Sequence, residues 1–227
     1  MDTSLIDAWC AVAASYQHLC RDARTAAAYR ELRYRYTYEL SRLFADGQDW
    51  GLVVYGVWLR GHPHPVYIGQ TTQAKRRLWD LPIGESHHLG FTFPPEIWER
   101  VVVMDWQKVV HENLHRGAAF AGEVAERAIG LALEHRLQRD ANPLFNSRKK
   151  RNNGKWRDVD FTRSNGVAAQ AARDLDKFYP TVKREWDELA SIPIDNHSPV
   201  RGTNGRYAFF PQTVLMRVLR GLRADEP

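Results

Sequence analysis

The chain has 227 residues, 44% hydrophobic and 26% charged, with 32 Lys and Arg against 27 Asp and Glu for a net charge of +5. This is globular composition; it excludes disorder or collagen-like structure for most of the chain, and the length suits one large domain or a core with appendages. The mild basic excess is compatible with a polyanionic partner and proves none.

Two cysteines, Cys10 and Cys20, are too few for a disulfide scaffold, and no Cys-x-x-Cys pair is there to hold zinc. Two buried thiols in a reducing compartment are expected. No apolar run approaches the ~18 residues of a membrane span. The start, with Asp2 and Asp7, lacks the basic segment of a signal peptide. The expectation is a soluble cytoplasmic protein with no membrane partner.

Residues 4–45 carry helical spacing. One apolar stripe runs through Leu5, Ala8, Trp9, Val12, Ala13, Tyr16 and Leu19, and a second through Tyr29, Leu32, Tyr36, Leu40 and Leu43. Opposite the second stripe lie Arg24, Arg30, Arg33, Arg35 and Arg42, either a solvated face or one that lies on a phosphate backbone. The period changes at Ala45-Asp46-Gly47. Gly51 to Leu59, rich in β-branched and aromatic residues, predicts a strand. Arg60 to Pro65 predicts a turn, because its prolines cannot sit inside a ladder. Val66-Tyr67-Ile68 predicts the returning strand of a hairpin, ended by Gly69. Thr71 or Thr72 is placed to cap a short helix through Leu81, which Pro82 and Gly84 stop.

Residues 84–97, with Pro94-Pro95, predict a loop, and Trp98 to Trp106 a third strand. The most regular helix covers 119–139 and ends before Asn142-Pro143. A basic, turn-rich stretch occupies 147–165. Helix resumes from about Val167 to Ala190 with an interruption near Pro180. A segment rich in Pro, Gly and Asn follows at 193–206, then a short strand at Tyr207–Phe210. Pro211 opens a final helix at a position where its missing N–H does no harm.

Several residues able to do chemistry occur in a suggestive order. Tyr55 lies in the first strand and Tyr67 in the second. Arg77 follows Tyr67 by 10 residues on the next helix. Glu134 stands on the long helix, and Asn146 12 residues later in the loop that contains Pro143. Singly, each is ordinarily structural. As an ordered set over about residues 51–147, they resemble the GIY-YIG nuclease family. Tyr67-Ile68-Gly69 matches the second motif letter for letter. The first motif is degenerate. Val54-Tyr55 or Gly56-Val57-Trp58 stands in its place, leaving 11 residues before Tyr67 from Tyr55 or 8 from Trp58. Only Tyr55 offers a phenol. Arg77 falls where the family arginine belongs, and Glu134 and Asn146 match the metal-ligand glutamate and the asparagine that closes the domain. Glu126, eight residues earlier on nearly the same helix face, is a rival ligand.

The resemblance implies an α+β core with an antiparallel sheet of about three strands flanked by helices, and helical extensions at both ends. It divides the chain into an extension at 1–48, a catalytic core at 49–147 and a basic, helical extension at 148–227. It implies a Mg²⁺- or Mn²⁺-dependent endonuclease acting on double-stranded DNA; a homodimer stays open. The first tyrosine, helped by the second, would activate water, although an unperturbed phenol with a pKa near ~10 is a poor base. Arg77 would hold two phosphate oxygens. Glu134 would bind the metal, which would stabilise the 3′ leaving oxygen. Asn146 would orient neighbouring groups or close the helix end. His87, beside His88, would donate hydrogen bonds or replace tyrosine as the base. Arg76 and the run Arg148, Lys149, Lys150, Arg151, Lys155 and Arg157 would contact DNA. The extensions beyond a minimal core fit a restriction endonuclease. A non-catalytic nucleic-acid-binding module with a degenerate core is the competing class. A third reading comes from His111-Glu112-Asn113-Leu114-His115, a literal HExxH that on a helix would hold zinc with Glu112 as base. The helical stretch around it is short and ends at Gly117.

Overall fold

The structure, a computed structural model, describes residues 23–46, 49–84, 89–113, 123–146, 148–150, 156–158 and 178–224, with Asp7, Cys10, Ala14 and Leu175. Helix α1 spans Ala23–Ala45 and buries Tyr36, Leu40 and Phe44, a stripe at four-residue spacing. Strands β1 (Val53–Leu59) and β2 (Pro65–Thr71) form the expected hairpin. Helix α2 (Ala74–Asp80) follows, then the short α3 (Leu89–Thr92) and a 3-10 turn at Pro95–Ile97, within a stretch expected to be loop. Strand β3 is Trp98–Asp105, and α4 (Trp106–Asn113) begins at its last residue. Asp105 makes that junction. Its Oδ1 accepts from the Lys108 N–H at 3.2 Å, capping the helix, and its Oδ2 accepts from the Gly51 N–H at 3.0 Å.

Helix α5 (Glu123–Ala141) stops at Asn142, whose φ of 45° is a left-handed helix end, with Pro143 behind it. A separate two-stranded hairpin, β4 (Arg148–Lys150) and β5 (Trp156–Asp158), forms inside the basic stretch. Helix α6 (Tyr179–Ser191) has Pro180 in its first turn, where its missing N–H does no harm; of the helix expected from Val167, residues 167–174, 176 and 177 lie outside the described residues. Strands β6 (Val200–Thr203) and β7 (Arg206–Phe209) precede α7 (Pro211–Ala224).

The class is α+β as expected, but the sheet has five antiparallel strands in the order β2-β1-β3-β7-β6, not three. One of the two further strands, β7, is the short strand expected at Tyr207–Phe210; the other, β6, comes from the Pro/Gly/Asn-rich stretch. Asn204 and Gly205 take φ of 51° and 77°, the mirror-image two-residue turn whose twist matches a hairpin. β7 then pairs with β3, Val101 opposite Phe209. Residues 200–209 therefore complete the sheet that the hairpin begins.

Helices cover both faces of this sheet. Tyr55, Val57, Tyr67 and Val103 join a core with α1, α2 and Val214 of α7. Val54, Trp58, Ile68 and Val102 join a second core with α4, α5 and α6. Burial on both sides explains why β1 is buried at every position and reads as an unbroken apolar run instead of alternating.

Other expectations are corrected. Thr71 does not cap α2. Its hydroxyl accepts from the Gln73 N–H at 2.9 Å, and Gln73 is the cap residue without a side-chain bond. Cys10 is exposed, not buried; Cys20 lies outside the described residues. The basic face of α1 is largely charge-compensated: Arg33 pairs with Glu96 at 2.8 Å, Arg35 with Glu31 and Arg42 with Glu39. Among the described residues no helix is long and apolar enough to cross a membrane.

Candidate active site

The β1–β2 register sets Tyr55 opposite Gly69, so Tyr55 and Tyr67 share one face of the sheet, with ring centroids 6.0 Å apart. Trp58 lies in the other core, 5.7 Å from Trp186. Of the two candidates for the first motif, Tyr55 is thus the one beside Tyr67. Gly69 gives the pair room. A Cβ there would stand 2.7 Å from the Tyr55 Oη and 3.0 Å from Tyr67 Cε1, so the glycine is required by space.

Arg77, on α2, donates from Nε to the Tyr55 hydroxyl oxygen at 3.1 Å. The two tyrosines are also hydrogen-bonded to each other. That bond pulls the Tyr55 pKa down and pushes that of Tyr67 up. A phenol oxygen has two lone pairs and one proton. Tyr55 thus accepts one bond from Arg77 and shares another with Tyr67. Burial pushes the Tyr55 hydroxyl up. The Arg77 charge and the bonds from Tyr67 and Arg77 pull it down without prevailing, and the Glu134 charge adds to the rise. Burial also raises Tyr67, reinforced by Tyr55 and Glu134. Both phenols therefore lie above the ordinary tyrosine value.

The outer edge of β2 carries the rest of the set. Ile68 is fully buried, yet its N–H and C=O point away from β1. Asn146 answers both: its Oδ1 accepts from the Ile68 N–H at 2.8 Å and its Nδ2 donates to the Ile68 carbonyl at 3.0 Å. The Phe145 N–H donates to the Val66 carbonyl beside it. The loop after α5 thus docks as a short surrogate strand, and the Asn146 amide works on the strand backbone. Gln138 donates from Nε2 both to the same Ile68 carbonyl at 2.9 Å and to Glu134 Oε1 at 3.0 Å. Glu134 is half-buried, close enough for its charge to act on both phenols. Sequence reasoning passed over Gln138. Its signal was the spacing of four from Glu134, one helical turn.

A cavity of about 140 Å³ adjoins this centre, lined by Thr71, Gln73, Arg76, Arg77 and Asp80. Arg76 is mostly exposed, its Nε 4.0 Å from Asp80. A larger cavity of about 400 Å³, between α1 and α7, includes none of the sequence-derived site residues. His87, His88, Arg151 and Lys155 lie outside the described residues. The side chains of Glu126, Arg148, Lys149, Lys150 and Arg157 also lie outside them; the backbone sets Lys149 across from Arg157.

A single protein carboxylate held by a neutral amide fits Mg²⁺ or Mn²⁺, which typically take one or two carboxylates and fill the rest with water and substrate oxygens. Among the described residues no three His, Cys, Asp or Glu converge on one point. In the HExxH segment, Glu112 is engaged by Arg206 at 2.6 Å, His111 is exposed, and His115 lies outside the described residues. Comparison of the chain with protein-family models, with curated proteins and with solved structures returns no match.

Proposed function

We propose that this protein is a divalent-metal-dependent DNA endonuclease of the GIY-YIG type that hydrolyses phosphodiester bonds. The observation that carries the reading is the Tyr55–Arg77 bond at 3.1 Å with Tyr67 alongside. Three residues spread over two strands and a helix converge at the rim of the sheet where Glu134 lies.

In this reading Arg77 holds phosphate oxygens in the adjoining cavity and stays charged throughout. Its bond to Tyr55 orients the guanidinium before substrate arrives, which is how a fixed donor stabilises developing charge at little reorganisation cost. Tyr55, helped by Tyr67, activates the attacking water by relaying a proton, with Arg77 bonded to its hydroxyl oxygen. His87 is the alternative base. Glu134 would hold the metal, whose bound form supplies Lewis-acid stabilisation of the leaving oxygen. Asn146 shapes the strand that carries Tyr67.

The substrate in this proposal is duplex DNA, cut at discrete sites as by a restriction endonuclease, in the cytoplasm and with room for a homodimer. Arg76 and the β4–β5 hairpin would add phosphate contacts. One observation favours a second reading, a non-catalytic DNA-binding module: Tyr55 is 0% exposed. Arg77→Ala separates the two. The enzyme loses cleavage while still binding DNA; the module changes only in affinity.

A further inference from the structure

We infer that Gln138 is a positioning residue for Glu134, tying that carboxylate to the strand that carries Tyr67. The inference rests on the nuclease reading, in which Glu134 holds the divalent cation.

Gln138 stands one turn beyond Glu134 on α5, the spacing at which helix side chains lie side by side. Its amide nitrogen has two protons and uses them in two directions, one toward Glu134 Oε1 at 3.0 Å and one toward the Ile68 carbonyl at 2.9 Å. Only 9% of the residue is exposed, and Leu133 and Leu137 of the same helix are buried in the core. An apolar side chain would suit that burial better, since a buried amide is costly unless its bonds are made. The amide's two partners are a strand carbonyl and a carboxylate, so its geometry joins two elements. Through Gln138, Glu134 is referenced to the backbone between Tyr67 and Gly69. Carboxylates that ligate metals are commonly held in this way, and losing the partner typically weakens metal binding by 10–100-fold.

The fold has a reserve. Asn146 Nδ2 also donates to the Ile68 carbonyl, so removing Gln138 leaves that carbonyl a partner.

The test uses Mn²⁺ alone, titrated by calorimetry and by electron paramagnetic resonance into the full chain without DNA. Wild type is expected to bind Mn²⁺ and Glu134→Ala to lose it. Gln138→Met, similar in size and without a donor, is expected to bind ~10–100-fold more weakly. Its cleavage rate should recover at high Mn²⁺, with the half-saturating concentration raised by the same factor. Should Gln138→Met fail to fold by circular dichroism, Gln138→Leu is read in the same way. Mn²⁺ binding by the folded variant at wild-type affinity overturns the inference, as does a cleavage defect that no Mn²⁺ concentration relieves. If wild type binds no Mn²⁺, or Glu134→Ala binds it normally, the metal reading of Glu134 itself fails. That outcome is distinguishable, because it needs no Gln138 variant.

Discussion

Arg77 donates to the Tyr55 hydroxyl at 3.1 Å, joining the helix after the hairpin to the hairpin's first strand. The guanidinium is thereby held at the mouth of the cavity it lines with Arg76. Lysine carries the same charge on a compact ammonium and lacks the planar fork. Arg77→Lys and Arg77→Ala are both expected to slow single-turnover cleavage by ~10²-fold or more, the scale for losing one preorganised donor. DNA affinity in a filter-binding assay should change only a few-fold. Near-normal cleavage by Arg77→Lys would show that charge alone suffices.

Gly69 is a test of space under the two phenols. Gly69→Ala would put a methyl group within 2.8 Å of both Tyr55 Oη and Cζ, inside a core that cannot move far. The expected loss is about 1–3 kcal/mol in denaturant unfolding, together with lost cleavage as the hydroxyl leaves Arg77. Gly61 is the control. Its φ is +73° with open space around it, so Gly61→Ala should cost about 1–2 kcal/mol of backbone strain and leave cleavage unchanged.

Asn146 holds the edge of the strand. Asn146→Ala removes the partner of the buried Ile68 N–H, and an orphaned buried group costs about 1–3 kcal/mol. Gln138 still serves the carbonyl, so the loss should sit at the lower end. Amide hydrogen exchange should localise it, with Ile68 exchanging much faster and β3 little changed. Unchanged protection at Ile68 would contradict the surrogate-strand role.

Much of this site was legible because its parts lie close in sequence. Tyr55, Tyr67 and Arg77 fall within one hairpin and the next helix, where strand alternation and a short loop already set their faces. The five-stranded sheet was harder to see. β6 reads Val-Arg-Gly-Thr, mostly exposed and with one apolar residue, so no hydrophobic pattern marks it; only the Asn204-Gly205 pair announced the turn. Gln138 and Asn146 act on the Ile68 backbone from 70 and 78 residues away, and backbone edges leave no trace in side-chain spacing. The α1 arginines show the reverse: Arg33 looked suited to phosphate, but Glu96, 63 residues on, takes it.

The buried phenols set an alkaline limit. Tyr55 and Tyr67 have raised pKa values in the fold, chiefly from burial, against ~10 when unfolded. The stability they contribute is fully present below about pH 10 and is lost as pH rises beyond it. Unfolding and phenolate absorbance are expected to rise together above that point. At the acid end, the His197 and Ser198 N–H groups hold the Asp195 carboxyl down at about 2. Its contribution is present above the usual carboxylate range and fades as pH falls toward 2.

The most direct measurement is cleavage of a defined plasmid with and without Mg²⁺, wild type beside Glu134→Ala and Arg77→Ala. The expected result is discrete, metal-dependent bands from wild type and none from either variant, with both variants folded and binding DNA. Absence of cleavage by wild type with Mg²⁺ or Mn²⁺, on modified as well as unmodified DNA, would contradict the nuclease reading and leave a DNA-binding module built on the same fold.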